Sequence, residues 1–538
     1  MKKILFLFFW MVSLTSSAYQ VLEPSIVVDG FRYGIWQLTD SSLAAALYGV
    51  PADSEGELTI PDGIMYQEQW VPVKYIFNMD GANRESVTAV KLPSSLLTIS
   101  SSAFKDFMGI RTIGIPATVE DIGDLAFSGC TSLTSFLLPK AVKRVGNGIL
   151  SGCTSLTSIV VEADNERYCS LGCNVIVNKE ENTLLAATPS SPIPESVTSI
   201  GAYTFQGLED LQEITLPSHI TSIGACAFKD CTNLASAVLP QYLTSIGDGA
   251  FSGCGITTID LPHSIVSIGN NAFSHCQKLR TLIIPESVQS LGSWAFGACP
   301  ALQSVEIIGR IPSLGDGAFA ECTSLNHVSL PESLVSIGKG AFSECASLTS
   351  IRIPDSVTKI DEYAFAQSGL TNVTLPEGVT TIVRGAFMVC SNLREIMFPE
   401  SLQKIEERSF YHCSSLERIV LPESMKSIGR EAFCECDRMK EVWLQSSVPF
   451  ALAAGFDLNF TNQATLYVPA GSKEAYEMSD WHLCFSNIKE FDATSIAINI
   501  GNNKSVNNHC FDLSGRRLTT PPTRPGLYIK DGRKVMVK

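Results

Sequence analysis

Hydrophobic and polar positions in the middle of this chain recur with a period of 22 or 23 residues. Each period contains a short apolar–polar alternation that ends at a proline, then a serine-rich stretch, and then an Ala-Phe pair followed by a cysteine and a leucine. IPESVQSLGSWAFGACPALQSVEI and LPESLVSIGKGAFSECASLTSIRI are two such units. The alternation predicts a short strand with one buried face, and the proline ends it because proline lacks the N–H that a sheet needs.

Fourteen units follow one another, and two departures leave the period intact: Ile308 replaces one proline and Leu150 replaces one phenylalanine. The prolines are Pro93, Pro116, Pro139, Pro194, Pro217, Pro240, Pro262, Pro285, Pro331, Pro354, Pro376, Pro399 and Pro422. Eleven residues later come Phe104, Phe127, Phe205, Phe228, Phe251, Phe273, Phe296, Phe319, Phe342, Phe365, Phe387, Phe410 and Phe433. A period of this length predicts a repeat solenoid of leucine-rich-repeat coils, each with short parallel strands and one turn of helix around the phenylalanine.

The same period predicts how most of the 17 cysteines are used. Eleven of them share one phase, three residues after the phenylalanine or its substitute: Cys130, Cys153, Cys231, Cys254, Cys276, Cys299, Cys322, Cys345, Cys390, Cys413 and Cys436. Neighbouring strands lie about 4.8 Å apart, whereas the β-carbons of a disulfide lie about 3.8 Å apart. We therefore expect buried free thiols, in a line that suits no four-ligand zinc site. Cys169 and Cys173 lie off this row and are the candidates for a disulfide.

The repeat also divides the chain. Residues 1–18 have the pattern of a secretory signal peptide, with Lys2 and Lys3, an apolar run and Ser16-Ser17-Ala18. Residues 19–90 predict a β-rich N-terminal cap, residues 91–445 the solenoid, and residues 446–492 a C-terminal cap in which Trp481 closes the last coil. A hairpin insertion near 162–193 is expected to project from one edge. Residues 493–538 form a linker and a short β-rich tail, where Asp531-Gly532 predicts a hairpin turn.

Composition narrows the class of protein. Hydrophobic residues make up 45% of the chain and charged residues 17%, which favours a long packed core over disorder. A formal net charge of -15 disfavours nucleic acid as a partner, because phosphate binding needs clustered lysine and arginine. No stretch is apolar for the roughly 20 residues that a membrane span requires. The sequence therefore predicts an exported protein, secreted or at the cell surface.

Catalytic chemistry is not indicated. The seven histidines lie at turns and variable repeat positions without metal-like spacing. No nucleophile elbow, phosphate loop, HExxH motif or paired catalytic carboxylates occur in the repeats. The sequence predicts no enzyme activity, no cofactor and no metal site.

Two rows of surface residues are candidates for binding. The first is the acidic position after the proline, which is either a solvated turn or a site for cations or basic partners: Glu195, Glu286, Glu332, Asp355, Glu377, Glu400 and Glu423. The second is the outward face of the strand, where arginines lie beside apolar residues, as interface anchors do. The candidate binding face on this strand is Arg352, Arg394, Met397, Arg418 and Val420. Its apolar members fit a broad second hydrophobic layer equally well.

The cadence LPxSVTSIGxxAFxxCxxLxxI resembles the BspA-type leucine-rich repeat of bacterial surface proteins, over residues 91–445. The resemblance implies a cell-surface or secreted protein, in some members an adhesin for host matrix proteins or other bacteria. The tail FDLSGRRL…GLYIKDGRKVMVK resembles the C-terminal sorting domain of type IX secretion, although it is shorter than the fuller versions.

These observations predict an exported binding or adhesion module whose partner is a protein or glycan at a host or bacterial surface. Two alternatives remain. The solenoid could be a structural scaffold of the envelope without a dedicated ligand, or an accessory protein in glycan capture. Architecture alone does not distinguish them, because one fold serves many functions.

Overall fold

A computed structural model describes residues 19–80, 82–456 and 464–492 and three strands of the C-terminal tail. The chain is a β-solenoid of about 18 turns with about 23 residues per coil, as predicted. The signal peptide predicted for residues 1–18 lies outside the described residues. Each coil has three sides: a strand before the proline, a shorter strand after it, and a segment of turns around the phenylalanine.

The strands before the proline, here called the pre-proline strands, stack in parallel from coil to coil. Their apolar residues alternate between inside and outside, so that Phe136 and Leu138 are buried while Leu137 between them is exposed. This is the burial expected of a sheet with one face on a core. The pre-proline strands are Gly56–Thr59, Val87–Lys91, Thr112–Ile113, Ser135–Leu138, Ser158–Val161, Glu213–Thr215, Ser236–Val238, Thr281–Ile284, Ser304–Ile307, His327–Ser329, Asn372–Thr374, Glu395–Met397, Arg418–Leu421, Glu441–Leu444, Thr465–Pro469 and Asn487–Phe491.

The strands after the proline, here called the post-proline strands, form a second parallel stack. They contain two residues each, and the second residue of most of them is a buried isoleucine or leucine. The post-proline strands are Thr98–Ile99, Asp121–Ile122, Arg144–Val145, Ser199–Ile200, Ser222–Ile223, Ser245–Ile246, Ser267–Ile268, Ser290–Leu291, Ser313–Leu314, Ser336–Ile337, Lys359–Ile360, Thr381–Ile382, Lys404–Ile405, Ser427–Ile428 and Ala451–Leu452.

The third side, here called the turn side, does not form the predicted single turns of helix. The residues two before and two after the phenylalanine have positive φ, as do Gly317 and Glu321, both at 60°, around Phe319. A helix needs right-handed φ at consecutive residues, so these positions prevent one. The N–H of Phe319 donates instead to the carbonyl of Ala341 in the next coil at 2.9 Å, and Gly317 and Glu321 make equivalent bonds at 2.8 Å.

The phenylalanine rings stack along the axis of the solenoid. From Phe205 to Phe433, neighbouring ring centroids lie 4.9 to 5.9 Å apart with nearly parallel planes. The spacing follows the rise of one strand per coil, about 4.8 Å. The repeat pattern predicts this row correctly but misses its last member, Phe456, which stacks on Phe433 at 5.1 Å.

The ends of the stack are covered by different structures. At the N-terminus, Tyr19–Val28, Phe31–Leu38 and Leu43–Gly49 pair in antiparallel order, and Leu43–Gly49 then pairs in parallel with Gln69–Asp80. Gly63–Tyr66 forms a hairpin with Gln69–Asp80. Parallel stacking reaches back to Gly56–Thr59, N-terminal to residue 91.

At the C-terminus, two short helices and a buried tryptophan close the last coil. Lys473–Glu477 and Trp481–Cys484 are the α-helices of the described ranges. The Trp481 indole is fully buried, and its N–H donates to the carbonyl of Phe450 at 3.0 Å. The Trp481 ring lies 6.1 Å from the ring of Phe456, the last phenylalanine of the stack.

In the tail, Gly526–Lys530 and Arg533–Val537 form an antiparallel hairpin, as the Asp531-Gly532 pair predicts. Cys510–Phe511 pairs with the outer edge of Gly526–Lys530. The rest of the linker and tail, including the turn residues themselves, lies outside the described residues.

The insertion contains the predicted hairpin but does not project from the solenoid. Val175–Asn178 pairs with Thr183–Ala187 in antiparallel order and with Tyr168–Cys169 on its other edge. Thr183–Ala187 then pairs in parallel with Ser199–Ile200 and so opens the next run of post-proline strands. Because the central residues of this hairpin are apolar, it is buried inside the stack and not exposed at an edge.

The hairpin separates two hydrophobic cores. Ile176 and Ala186 pack in the N-terminal core, which extends from Phe31. Val177 and Leu184 pack in the C-terminal core, which extends to Ile488. Successive strand residues point in opposite directions, so a single buried hairpin supplies side chains to both cores.

The two cores predict that neighbouring hairpin residues stabilise different halves of the chain. Ile176→Ala and Leu184→Ala each remove a fully buried side chain and should each cost about 2–5 kcal/mol. Hydrogen exchange should accelerate mainly in coils before residue 162 for Ile176→Ala, and mainly in coils after residue 198 for Leu184→Ala. Equal acceleration on both sides for both variants would contradict the two-core arrangement.

Candidate functional site

The outward face of the pre-proline strands carries a row of exposed apolar side chains two residues before the proline. Met397 is 41% exposed, Val238 54% and Ile283 55%. Each of the three strands pairs in parallel with one neighbouring strand, which holds these side chains in a regular row. Exposed apolar residues on a rigid sheet are a common feature of recognition surfaces.

The arginines of the candidate binding face lie in different surroundings. Arg352 is exposed, but its guanidinium forms an ion pair with Glu332 of the preceding coil, and this bond raises the pKa of Arg352. Arg394 is exposed and lies three residues before Met397 in the chain. Arg418 is half-buried and lies in register with Glu441 on the neighbouring strand. Arg352 is therefore separated from the others by the coil of Asn372–Thr374 and is already partnered.

The apolar part of the candidate face continues further than the predicted residues. Val420 is half-buried and lies in register with Trp443, which in turn lies in register with Tyr467. The Trp443 and Tyr467 rings stack with centroids 4.0 Å apart, and Trp443 is only 7% exposed. Met397, Val420, Trp443 and Tyr467 thus form one apolar strip across four coils. Trp443 is not among the residues that the sequence predicts for this face. Gln445 stands where the next proline would be, and Trp443, two residues before it, therefore has the same outward phase as Met397 and Val420.

The acidic row after the proline is solvated. Its members are exposed, and the neighbouring coils supply ion-pair partners to some of them, as Arg310 does to Glu286 at 3.1 Å. Glu377 and Glu400 instead use their backbone carbonyls, which accept hydrogen bonds from serine hydroxyls of the next coil at 2.6 and 2.7 Å. Within the described ranges, no group of three or more His, Cys, Asp or Glu side chains is arranged to hold a metal ion.

The cysteine ladder lies in the core, as predicted. All eleven cysteines are buried, and each thiol donates to the carbonyl of a phenylalanine in the preceding coil, as Cys322 does to Phe296 at 3.2 Å. Burial raises the pKa of Cys130, Cys231 and Cys276 to about 12. These thiols are therefore protonated and unreactive at neutral pH, because only a thiolate is a good nucleophile.

The insertion cysteines do not form the disulfide for which they were candidates. Cys169 and Cys173 are both half-buried free thiols, and the Cys173 thiol contacts the carbonyl of Leu171 at 3.3 Å. The two residues lie on the strand and turn that begin the insertion, where Leu171 and Gly172 have positive φ. Both thiols are partly exposed to solvent, whereas the ladder cysteines are buried.

The repeat places the chain in a known family. The family described as "BspA type Leucine rich repeat region (6 copies)" matches residues 74–173, 187–255, 244–371 and 358–456. The chain belongs to this family, whose members are non-enzymatic repeat proteins. No curated protein matches the chain. No helix of the described ranges is long and apolar enough to cross a bilayer.

Several solved structures are similar to this chain. A leucine-rich repeat protein from Bacteroides ovatus is 22% identical, with 87% of this chain and 100% of that chain covered and a TM-score of 0.38. The pneumococcal vaccine antigen PcpA is 18% identical over 63% of this chain and 94% of its own, with a TM-score of 0.40. A leucine rich cell surface protein from Faecalibacterium prausnitzii is 20% identical over 73% and 93%, with a TM-score of 0.37.

The burial of the thiols predicts their reactivity. In the folded protein at pH 8, iodoacetamide should modify Cys173 while the eleven ladder cysteines stay unmodified, and urea should expose all of them. Peptide mass spectrometry before and after denaturation measures this. Modification of the folded ladder at the rate of Cys173 would contradict the burial.

The raised pKa values of the buried thiols predict that the folded protein loses stability at high pH. Thiols in the unfolded chain lose protons near their ordinary pKa of 9.0, while Cys130, Cys231 and Cys276 keep theirs to about pH 12. Their contribution to stability is complete below pH 9 and decreases as the pH rises from 9 to 12, because the unfolded state then binds fewer protons. Urea midpoints measured from pH 8 to 10.5 should therefore fall, and midpoints that rise across this interval would contradict it.

Proposed function

We propose that this chain is an exported bacterial cell-surface protein whose solenoid binds proteins or glycans on host or bacterial surfaces. Membership of the BspA-type family supports a binding role, and a similar Faecalibacterium prausnitzii chain is described as a cell surface protein. Export rests on the N-terminal signal pattern of residues 1–18, and the type IX sorting role of the tail rests on its sequence resemblance.

The observation that carries the proposal is the apolar strip on the outward sheet face. Met397, Val420, Trp443 and Tyr467 have the same phase in successive coils, and Arg394 is exposed three residues before Met397 in the chain. Arginine next to apolar and aromatic surface is typical of the residues that dominate binding energies. An extended or flat partner can contact several coils at once, because the side chains are spaced at regular intervals of about 4.8 Å.

Two rows of charged residues on the side of the strip away from the proline fit selective binding. Glu395, Arg418 and Glu441 alternate in sign four residues before the proline. Glu417 and Lys440 form an ion pair at 3.1 Å in the adjacent row. Alternating charges contribute little to stability at exposed positions, but they favour partners with a matching pattern.

The proposal predicts that the sheet face and the acidic turns behave differently. The double variant Arg394→Ala and Met397→Ala removes an exposed cation and an exposed thioether, so the melting temperature should change little. Binding to arrays of glycans and host matrix proteins should weaken about tenfold or more.

The matched control is the double variant Glu377→Ala and Glu400→Ala, whose carboxylates lie on the turns of the preceding coil and of the same coil. Glu332 is unsuitable as a control because its removal would release Arg352. The control should bind as the parent protein does. Loss of binding in the control but not in the sheet-face variant would place the binding surface at the turns. A parent protein that binds nothing on the arrays would favour the scaffold alternative.

A further inference from the structure

The stack of pre-proline strands is interrupted at the insertion, and one strand there has an open edge. Glu213–Thr215 pairs with Ser236–Val238 on its C-terminal side. On its N-terminal side no strand of the described ranges pairs with it, and the preceding pre-proline strand, Ser158–Val161, pairs only with Ser135–Leu138.

Backbone groups of this strand are unpaired at the open edge. In the regular coils, the residue five before the proline donates its N–H to the preceding coil, as Ala235 does to Gln212 at 2.8 Å. Gln212 has no such acceptor among the described residues. The N–H of Leu216 donates to the carbonyl of Val238 in the following coil at 3.1 Å. Successive residues of a strand direct their backbone groups to opposite sides, so the N–H and C=O groups of Glu213 and Thr215 face the open side.

The other side of the interruption is covered. The N–H of Val161, on the last strand before the insertion, donates to the hydroxyl of Ser170 at 2.6 Å. Proteins usually cover or block such edges because an open one accepts a further strand. Here the insertion caps Ser158–Val161 and leaves Glu213–Thr215 open.

A groove runs along the open edge. It has a volume of ≈ 240 Å³ and lies between the loop that contains Pro189 and Pro192 and the strand that contains Ile214. Ile193 and Leu211 also line it. Ile214 is half-buried, whereas the residue of the same phase in the next coil, Ala237, is 8% exposed. The groove therefore places the apolar side chains of Ile193, Leu211 and Ile214 beside unpaired backbone groups.

The stretch of chain that forms the groove carries charge of one sign. Between Lys179 and Lys229 the chain contains no lysine or arginine. The acidic residues of this stretch are Glu180, Glu181, Glu195, Glu209, Asp210 and Glu213. Glu213 is exposed at the edge of the groove, and Glu209 and Asp210 are exposed just before the strand. A basic partner is complementary to this surface.

We propose that the open edge of Glu213–Thr215 binds an extended segment of a partner protein in which basic and apolar residues alternate. The segment adds as a strand: its backbone pairs with Glu213 and Thr215, an apolar side chain enters the groove beside Ile214, and basic side chains meet Glu213. This goes beyond the proposed function by naming a second site and the chemistry of its partner. It lies eight coils from Met397, so either site can fail without the other.

Binding of a nine-residue peptide of alternating lysine and valine to the full chain, followed by fluorescence anisotropy, tests this site. The matched probe is the same peptide with alternate backbone nitrogens methylated, which removes hydrogen-bond donors and keeps every side-chain charge. We expect the methylated peptide to bind about tenfold more weakly or worse, as expected from the loss of one or two hydrogen bonds. Equal affinity for the two peptides would overturn strand addition.

Two protein variants complete the test. Glu213→Lys should weaken binding of the unmodified peptide about tenfold. Ser304→Lys, at the same phase in a coil that is paired through Thr281–Ile284, should leave it unchanged. Thr215→Pro removes an N–H that the fold does not use, and it should weaken binding without lowering the melting temperature by more than a few degrees. No measurable binding, or equal losses in Glu213→Lys and Ser304→Lys, would overturn the proposal.

Discussion

The structure depends on the backbone hydrogen bonds that the turn side of each coil makes to the next coil. Three N–H groups in each regular coil donate to the next coil, all in one direction along the axis, as Phe319 does to Ala341. They belong to the phenylalanine, to the residue two positions before it and to the residue two positions after it. The geometry requires left-handed φ at two positions, which costs about 1–2 kcal/mol at each non-glycine residue. The cost is offset because otherwise unpaired backbone groups are satisfied and the phenylalanine is turned into the core.

This constraint explains why the repeat has so few variable positions. Once adjacent coils are held one strand spacing apart, rings at the same phase stack, and the space beside most of the rings is filled by a small side chain; Phe107 and Leu208 are the larger residues at this phase. Cysteine fits because it is small and apolar, and its thiol donates to a phenylalanine carbonyl of the preceding coil. The serine two residues after the proline has a similar role, as Ser356 shows by donating to the carbonyl of Leu334 at 2.7 Å. These residues repeat because of packing and hydrogen bonding between coils, and not because they bind a ligand.

The sequence predicts the period, the core rows and the two strands of each coil, because all of them follow from which positions are apolar. It does not predict the turn side, because Ala-Phe flanked by polar residues is compatible with a helical turn, and the left-handed residues include both Gly317 and Glu321. It also misplaces the hairpin, because an apolar run such as Val175-Ile176-Val177 does not reveal that its residues serve two cores. Within the candidate face, Arg352 and Arg394 are both arginines near apolar strand residues in the sequence, and only the structure shows that Glu332 already pairs with Arg352.

The proposed binding surfaces are the parts of the solenoid that the stacking of coils does not bury. The outward sheet face presents side chains at regular intervals, and the interruption at the insertion exposes a strand edge. Both depend on coils held rigidly by the turn side. The most direct test of that dependence is residue-resolved hydrogen exchange in the native protein. The account predicts that the amides of Gly317, Phe319 and Glu321 exchange as slowly as those of Val305 and Val442, which lie on strands paired on both sides. Exchange of these three amides at the rate of exposed turns would show that the turn side does not hold the coils together.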